Sequence, residues 1–317
     1  MNYIKTFNDR QKRGIDQVGY DFLQAKKETI SHCDLCGGDK FTIIAHHDRY
    51  HFLTKTMLCE CGNVFLSPRL SAESATELYR GTYRRLISAW HGRDIGAESV
   101  QQDQKLYSAE MISVFESLPS LDKSKISSVL DVGGSTGTVL KEIESWIGKS
   151  CTLVNIDPSH QESLLSNQKE ITTLSGFIED VDTIQRFDLV VMTWAIDHLR
   201  SVSAGLAKIH HVMKDDGYFW MDVMDFRKQI IKKGSVEGAA KIDHNFYFTE
   251  SVIEEYLAQA GFGIKLKSVS SDKWHVGYLC TKTVPRTIDL ELLRQEKSRF
   301  YQFTRSLNEP ILDDRYQ

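Results

Sequence analysis

Ser127-Ser128-Val129-Leu130-Asp131-Val132-Gly133-Gly134-Ser135-Thr136-Gly137 is the stretch that decides the fold. Its first half is an apolar run suited to a buried strand, and its second half is a chain of small residues that ends that strand. Small residues let the backbone approach a ligand, and glycine adopts positive φ where a strand-to-helix turn requires it. Beyond the turn, Val139, Leu140, Ile143 and Trp146 recur at helical spacing. The unit is therefore strand, glycine-rich turn, helix. In a doubly wound sheet such a turn lies at the carboxyl end of a strand, where ligands bind. A dinucleotide fingerprint would need glycines at 133, 135 and 138, where the chain has Gly133, Ser135 and Thr138. Asp131, two places before the first glycine, also suits a cationic, phosphate-free ligand better than a pyrophosphate.

Outward from this turn, strands and helices alternate. TLVNID is a second strand whose last residue, Asp157, is placed to accept hydrogen bonds from ribose hydroxyls. ITTLSGFI is a third strand, and FDLVVMTW is a continuous apolar run expected of a central strand buried on both faces. Val202, Leu206, Ile209 and Val212 mark a helix, and DDG leads into the strand YFWMDVM. Thr249 is placed to N-cap a helix ending at Gly261, and strands at 262–270 and 274–282 close the unit as an antiparallel hairpin. The pattern predicts an α/β, doubly wound Rossmann-like sheet. We divide the chain into an N-terminal helical extension (1–30), a cysteine-bearing unit (31–70), a helical linker or cap (71–118), the α/β domain (119–284) and a C-terminal helical tail (285–317).

Composition excludes several classes. No run of about 18 apolar residues occurs, so no transmembrane helix is expected. The start, MNYIKTFNDRQKRG, lacks the apolar core of a secretory signal, and the expectation is a soluble, cytoplasmic protein. Lys and Arg number 39 against 43 Asp and Glu, a net charge of −4 with no long basic block, so nucleic acid is not expected as a partner. Four of the six cysteines lie within Cys33–Cys61, and outside an oxidising compartment such clusters read as metal ligands. Cys33-x-x-Cys36-Gly has the spacing of a zinc knuckle; Cys59-x-Cys61-Gly is one residue shorter. His46, His47 or His51 is an alternative ligand. The set Cys33, Cys36, Cys59, Cys61 is favoured, because Cys61-Gly62-Asn63-Val64-Phe65 keeps the surroundings of a second knuckle. Such a closed site would be structural; reduced, metal-free thiols are the plainer alternative.

With these motifs in this order, residues 119–284 resemble the class I S-adenosylmethionine-dependent methyltransferases. LDVGGSTG matches their first motif and NIDPS the second. FDLVVMTWAIDHL matches the fourth-strand motif, with Asp197-His198 where Glu-His is usual. KDDGYFWMDV and HNFYFTESVIEEYLAQAGF match the two later ones. The resemblance implies a seven-stranded sheet with S-adenosylmethionine held by Gly133, Gly134, Ser135, Thr136 and Gly137. Asp131 would lie near its amino-acid end, Asp157 on its ribose, and Thr193 and Trp194 beside it. Phe177 and Ile178 stand where a polar adenine contact is common, so stacking and backbone contacts are expected there. The cysteine unit ahead of such a domain further resembles zinc-containing sugar methyltransferases. That resemblance implies structural Zn²⁺ and a carbohydrate acceptor, either a nucleotide sugar or a surface-glycan residue.

Methyl transfer to a hydroxyl needs alignment and removal of a proton. His198, beside Asp197 after the fourth strand, and His244, beside Asp243 after the fifth, are the candidate bases. Asp197, Asp222 and Asp225 are candidates to orient the acceptor. The plainer alternatives are a His198 that caps the next helix or packs against the cofactor, and a loop-anchoring His244. Trp194 reads as pocket wall or core, Tyr79, Tyr83 and Trp90 as packing or, alternatively, as stacking surfaces for a sugar or nucleobase, and Arg80, Arg84, Arg85 and Arg93 as a solvated face or a diphosphate contact. A zinc-ribbon RNA methyltransferase and a non-catalytic scaffold are the competing functions.

Overall fold

Alternation within two buried strands builds the core. In the computed structural model, which describes residues 8–158, 170–182 and 185–307, β6 (Ser128–Val132) and β9 (Phe187–Met192) pair in parallel at the middle of a seven-stranded sheet. Leu130, Val132, Val190 and Met192 face one apolar cluster, while Val129, Leu189 and Val191 face another on the opposite side. A strand covered on both faces cannot alternate polar and apolar residues, which is why these runs are continuously hydrophobic.

The strand order is β12 (Phe262–Val269), β13 (His275–Lys282), β10 (Met213–Met224), β9, β6, β7 (Thr152–Asp157), β8 (Ile171–Ser175). β13 runs antiparallel to β10 and β12. From β6 the chain proceeds outward through β7 and β8, then returns to β9 on the other side. β6 is therefore the point at which strand order reverses, and the turn after it opens on the crevice left there. β10 begins five residues earlier than the apolar run from Tyr218, with a register break between Met213 and Tyr218. Thr249 occupies the N-cap position of the helix Glu250–Gln259, but its side chain makes no capping bond.

A second sheet has four strands in the order β11 (Phe246–Tyr247), β4 (Val64–Leu66), β3 (Leu53–Cys59), β2 (Phe41–His47). The cysteine unit does not complete this sheet from its own residues. β4 leaves its outer edge unpaired within 31–70, and β11 covers that edge from far along the chain, with Phe246 opposite Phe65 and Tyr247 opposite Val64. The short pair β1 (Lys27–Glu28) and β5 (Arg69–Leu70) ties the N-terminal extension to the same unit.

The helical cap is not one regular stripe. Helix Ala72–Glu77 runs into a π-helical turn, Leu78–Thr82, before Tyr83–His91, which Gly92 stops in a left-handed conformation. The wide turn rotates the faces, so Leu78 and Leu86 are buried while Tyr79 and Tyr83 border a cavity. The tail forms the helix Leu290–Ser306, capped by Asp289 and seated by Leu293 and Phe300. Its Glu296 pairs with Arg227, and Lys297 reaches Glu60 at 2.9 Å. Residues 1–7, Ser159 of the NIDPS motif and residues 308–317 lie outside the described residues. Among the described residues no helix is long and apolar enough to cross a membrane.

Candidate active site

The glycine-rich turn is locked from two sides. Gly133 has φ +79°, and a Cβ there would come within 2.6 Å of the Ala195 Cβ, so glycine alone lets the turn pass the loop after β9. Ser135 also lies in the left-handed region, at φ 49°, where an L-residue is strained. Below it, the Ser135 amide donates to Asp157 Oδ2 at 2.8 Å and Asn155 Nδ2 donates to the Ser135 carbonyl at 3.3 Å. From above, the cap helix Ala97–Glu116 contributes Gln104, which donates to the Gly134 carbonyl at 3.2 Å and accepts from Thr136 Oγ1 at 2.6 Å. Gln104 carried no signal in the sequence, since a lone glutamine on a polar helix is unremarked until the fold places it.

The turn borders a cavity of about 280 Å³. Seven of the residues expected to meet a cofactor line it: Gly133, Ser135, Asp157, Phe177, Ile178, Thr193 and Trp194. The cap adds Tyr79, Tyr83 and Arg84 to the lining. Gly134, Thr136 and Gly137 are not in the lining. Thr136 is turned to Gln104, and Gly137 begins the following helix.

Asp131 is also placed differently from the expectation. It is fully buried beneath the turn, where a Cβ on Gly134 would lie 2.3 Å from its Oδ2. Among the described residues neither of its oxygens has a hydrogen-bond partner. Burial, with Asp157's charge adding to it, pushes its carboxyl up to about 8. The folded state thus holds a proton that the unfolded chain releases near pH ~4. Its contribution to stability is complete below that pH and is lost as pH rises through about 8. Asp131→Asn, which keeps the shape without the charge, is expected to melt above the wild type at pH 9 and to lose that advantage at pH 4, measured by thermal denaturation.

At the cavity wall, His198 ends a short 3₁₀ turn, Ile196–His198, and His244 immediately precedes Asn245 and β11. Residues far apart in sequence meet here, with ring centroids 4.7 Å apart and planes at 78°. His198 Nδ1 lies 2.8 Å from the Asp243 carbonyl oxygen and 2.6 Å from the Tyr79 hydroxyl. Asp197 stands between the rings: Oδ1 is 3.6 Å from His198 Nε2, and Oδ2 is 2.7 Å from His244 Nδ1. Burial opposes the charge on Asp197, but the His244 and His198 rings hold its carboxyl well below the usual range. Burial lowers His244 to about 4, against the pull of Asp197, so this ring is neutral at pH 7. His198 lines the cavity, whereas His244 sits buried behind it. His198 does not cap the next helix; Ser201 does, accepting from the Ala204 amide at 3.0 Å. The donor atoms of Asp197, His198 and His244 lie within 4.8 Å of one another, close enough to share a cation. The 2.7 Å Asp197–His244 separation is a close approach of carboxylate to ring, while among the described residues His244 Nδ1 makes no hydrogen bond. Asp222 is buried against the Trp194 amide, which donates to its Oδ1 at 2.7 Å, and Asp225 caps the helix Phe226–Lys233.

The four cysteines converge as expected, with Cys33–Cys61 and Cys36–Cys59 sulfurs each 3.6 Å apart and all four within 4.8 Å. A tetrahedral ion with bonds of about 2.3 Å places sulfurs roughly 3.8 Å apart, so a zinc ion fits this donor set. Asn63 Nδ2 and the Gly38 amide each approach a sulfur at 3.4 Å, as donors that would support thiolates. The shortened second pair closes because Gly62 takes φ +82°, folding Cys61 back under Cys59. His46, His47 and His51 are not in this group; the His47 and His51 rings face each other at 4.8 Å.

Residues 101–265 match the family model described as a methyltransferase domain. No curated protein matches the chain. Among solved structures, it is similar to an O-methyltransferase family protein from Burkholderia thailandensis, with 12% identity over 60% of this chain and 60% of that one, TM-score 0.48. It is also similar to an S-adenosylmethionine-dependent methyltransferase from Clostridium acetobutylicum ATCC 824, with 14% identity over 64% and 96%, TM-score 0.46. Human N-acetylserotonin methyltransferase aligns with 15% identity over 68% and 57%, TM-score 0.44. The match thus spans less than two thirds of the Burkholderia and human proteins.

Proposed function

The chain belongs to the methyltransferase-domain family and is an S-adenosylmethionine-dependent methyltransferase; from that premise we propose that it methylates a hydroxyl of a carbohydrate, with His198 as the base. The observation that carries this reading is a histidine on the cavity wall whose far side is tied to an oriented carbonyl and whose near side meets a carboxylate.

When bound, the cofactor supplies a methyl group on a positively charged sulfur. The residues present fit it. Asp157, at the carboxyl end of β7, offers acceptor oxygens to ribose, and Phe177 and Ile178 form an apolar wall for a flat ring. The turn through Gly133 and Ser135 also borders the cavity. Asp157→Ala is expected to weaken cofactor binding by about tenfold or more, as loss of charge-assisted hydrogen bonds does, read by calorimetric titration.

His198 supplies the proton chemistry. A carbonyl oxygen 2.8 Å from Nδ1 requires a hydrogen on that nitrogen, so Nδ1–H donates to Asp243 and Nε2 keeps its lone pair. When Nε2 takes a proton from the acceptor, Asp197 Oδ1, 3.6 Å away, stabilises the imidazolium. His244, neutral and buried, props the ring edge-on. Asp103, Gln104 and the Tyr79 hydroxyl, beside the Tyr83 and Trp194 rings, give the cavity the mixture of acceptors and aromatic faces that suits a polyol. The cysteine unit ahead of the domain supports the same acceptor class by its resemblance to zinc-containing sugar methyltransferases.

Release of S-adenosylhomocysteine tests the assignment, using pooled nucleotide sugars, polysaccharide fragments and total tRNA in parallel. Turnover with a carbohydrate pool alone is expected. Turnover with tRNA alone would replace carbohydrate by RNA, and silence in every pool would remove the carbohydrate assignment.

A further inference from the structure

The turn that carries His198 hangs between two supports, one beside the strand that completes the cysteine unit's sheet and one in the cysteine unit itself. The first is Asn245, next to β11. Its amide donates to the Asp197 carbonyl at 2.8 Å, and its Nδ2 donates to the carbonyls of His198 and Leu199 at 3.0 and 3.1 Å. Its own carbonyl accepts from the Leu66 amide in β4 at 3.0 Å. The other is Asp34, which lies between Cys33 and Cys36 in the knuckle. Asp34 Oδ1 accepts from Ser201 Oγ at 2.6 Å, Oδ2 accepts from the Ser203 amide at 2.9 Å, and its carbonyl accepts from Ser203 Oγ at 2.9 Å. Ser201 and Ser203 open the helix that starts at Val202, immediately after the His198 turn. A carboxylate facing free N–H groups at a helix start is held by both hydrogen bonds and the helix dipole.

We propose that Asp34 is a positioning residue for the base. The knuckle sets where the helix Val202–Val212 begins, and thereby where the His198 ring stands relative to the Asp243 carbonyl and Asp197. This inference rests on His198 being the base. Cys33 and Cys36 belong to the cluster that fits a zinc ion, so the metal site and the catalytic turn are two ends of one short lever. Misplacing a catalytic group by about 1 Å can cost on the order of a hundredfold in rate, which is the sensitivity this lever acts on.

The test compares Asp34→Ala and Asp34→Asn in the full chain. Zinc content and S-adenosylhomocysteine affinity come first, because neither the sulfurs nor the cofactor wall includes Asp34. Asp34→Ala is expected to lower kcat by about ten- to a hundredfold on the carbohydrate pool, with KM for S-adenosylmethionine unchanged. Asp34→Asn, which keeps one acceptor oxygen, should recover part of the loss. The independent readout is the His198 Nδ1–H proton in ¹⁵N-histidine-labelled protein: its protection from solvent exchange should fall in Asp34→Ala and partly return in Asp34→Asn. Unchanged kcat and unchanged protection in Asp34→Ala with zinc retained would overturn the proposal. If Asp34→Ala loses zinc, Ser203→Ala decides, since it removes one bond to the knuckle and leaves every knuckle residue intact. There a lowered protection supports the lever and an unchanged one overturns it. Loss of protection without any effect of His198→Ala on turnover would leave the lever standing and remove the base.

Discussion

His198→Ala is expected to lower turnover by at least about a hundredfold while changing S-adenosylmethionine affinity by no more than about twofold. The split follows from where the ring stands. It borders the cavity but lies beyond the turn that Gly133, Ser135 and Asp157 form, so cofactor contacts survive its removal. What is lost is a wall nitrogen whose lone pair is set by the Asp243 carbonyl on the opposite ring nitrogen. His244→Gln is expected to cost less, under about tenfold, because that ring is buried and neutral and acts only through Asp197 and the face of His198. S-adenosylhomocysteine release and calorimetric titration separate the two quantities. Equal losses in the two variants would show the proton shared across the pair, and no loss in His198→Ala would exclude this residue as base.

Cys36→Ser should have the largest effect on stability. Zinc content is expected to fall from about one ion per chain toward none, and the melting temperature by at least about 10 °C, as metal-binding free energy is folding free energy at such sites. The damage should spread, because Cys33, Cys59 and Cys61 are buried in the same apolar cluster as Leu130, Val190 and Phe219 of the central sheet. Cys151→Ser is the control, since Cys151 lies apart, its sulfur near the Ile126 carbonyl at 3.7 Å. Equal zinc content in the two variants, by atomic absorption, would contradict a four-thiolate site.

The parts of this architecture that were legible are those whose signal is local. The run from Ser127 to Gly137 carries strand and turn in eleven consecutive positions, with the helix directly after, and Cys33, Cys36, Cys59 and Cys61 close one small hairpin unit, where two short-spaced pairs imply a cluster. The illegible parts depend on the pleat or on contacts between distant segments. Asp131 was read as a ligand contact because of its offset from Gly133, but the strand's alternation sends its side chain under the turn instead. His198 and His244 were each visible as candidates, yet their meeting around Asp197 depends on β11 joining β4, and two residues of strand carry no pairing preference that periodicity can detect. Tyr79 looked like packing because a regular helix was assumed; the π-helical turn that redirects it has no comparable sequence mark. Asp34 carries no local mark of its role, which shows only in its contacts with Ser201 and Ser203 far along the chain.

The edge pairing of β4 with β11 also bears on how the protein is made. Phe65 leaves the ribosome long before Phe246, its partner in the sheet. During that interval the nascent cysteine hairpin presents an unpaired strand and four close thiols. Such non-local closure is slow, and an open edge is where aggregation begins. Early metal capture would hold the hairpin in shape while the rest of the chain is translated. Were that metal zinc, its supply during synthesis, rather than afterwards, would govern the soluble yield.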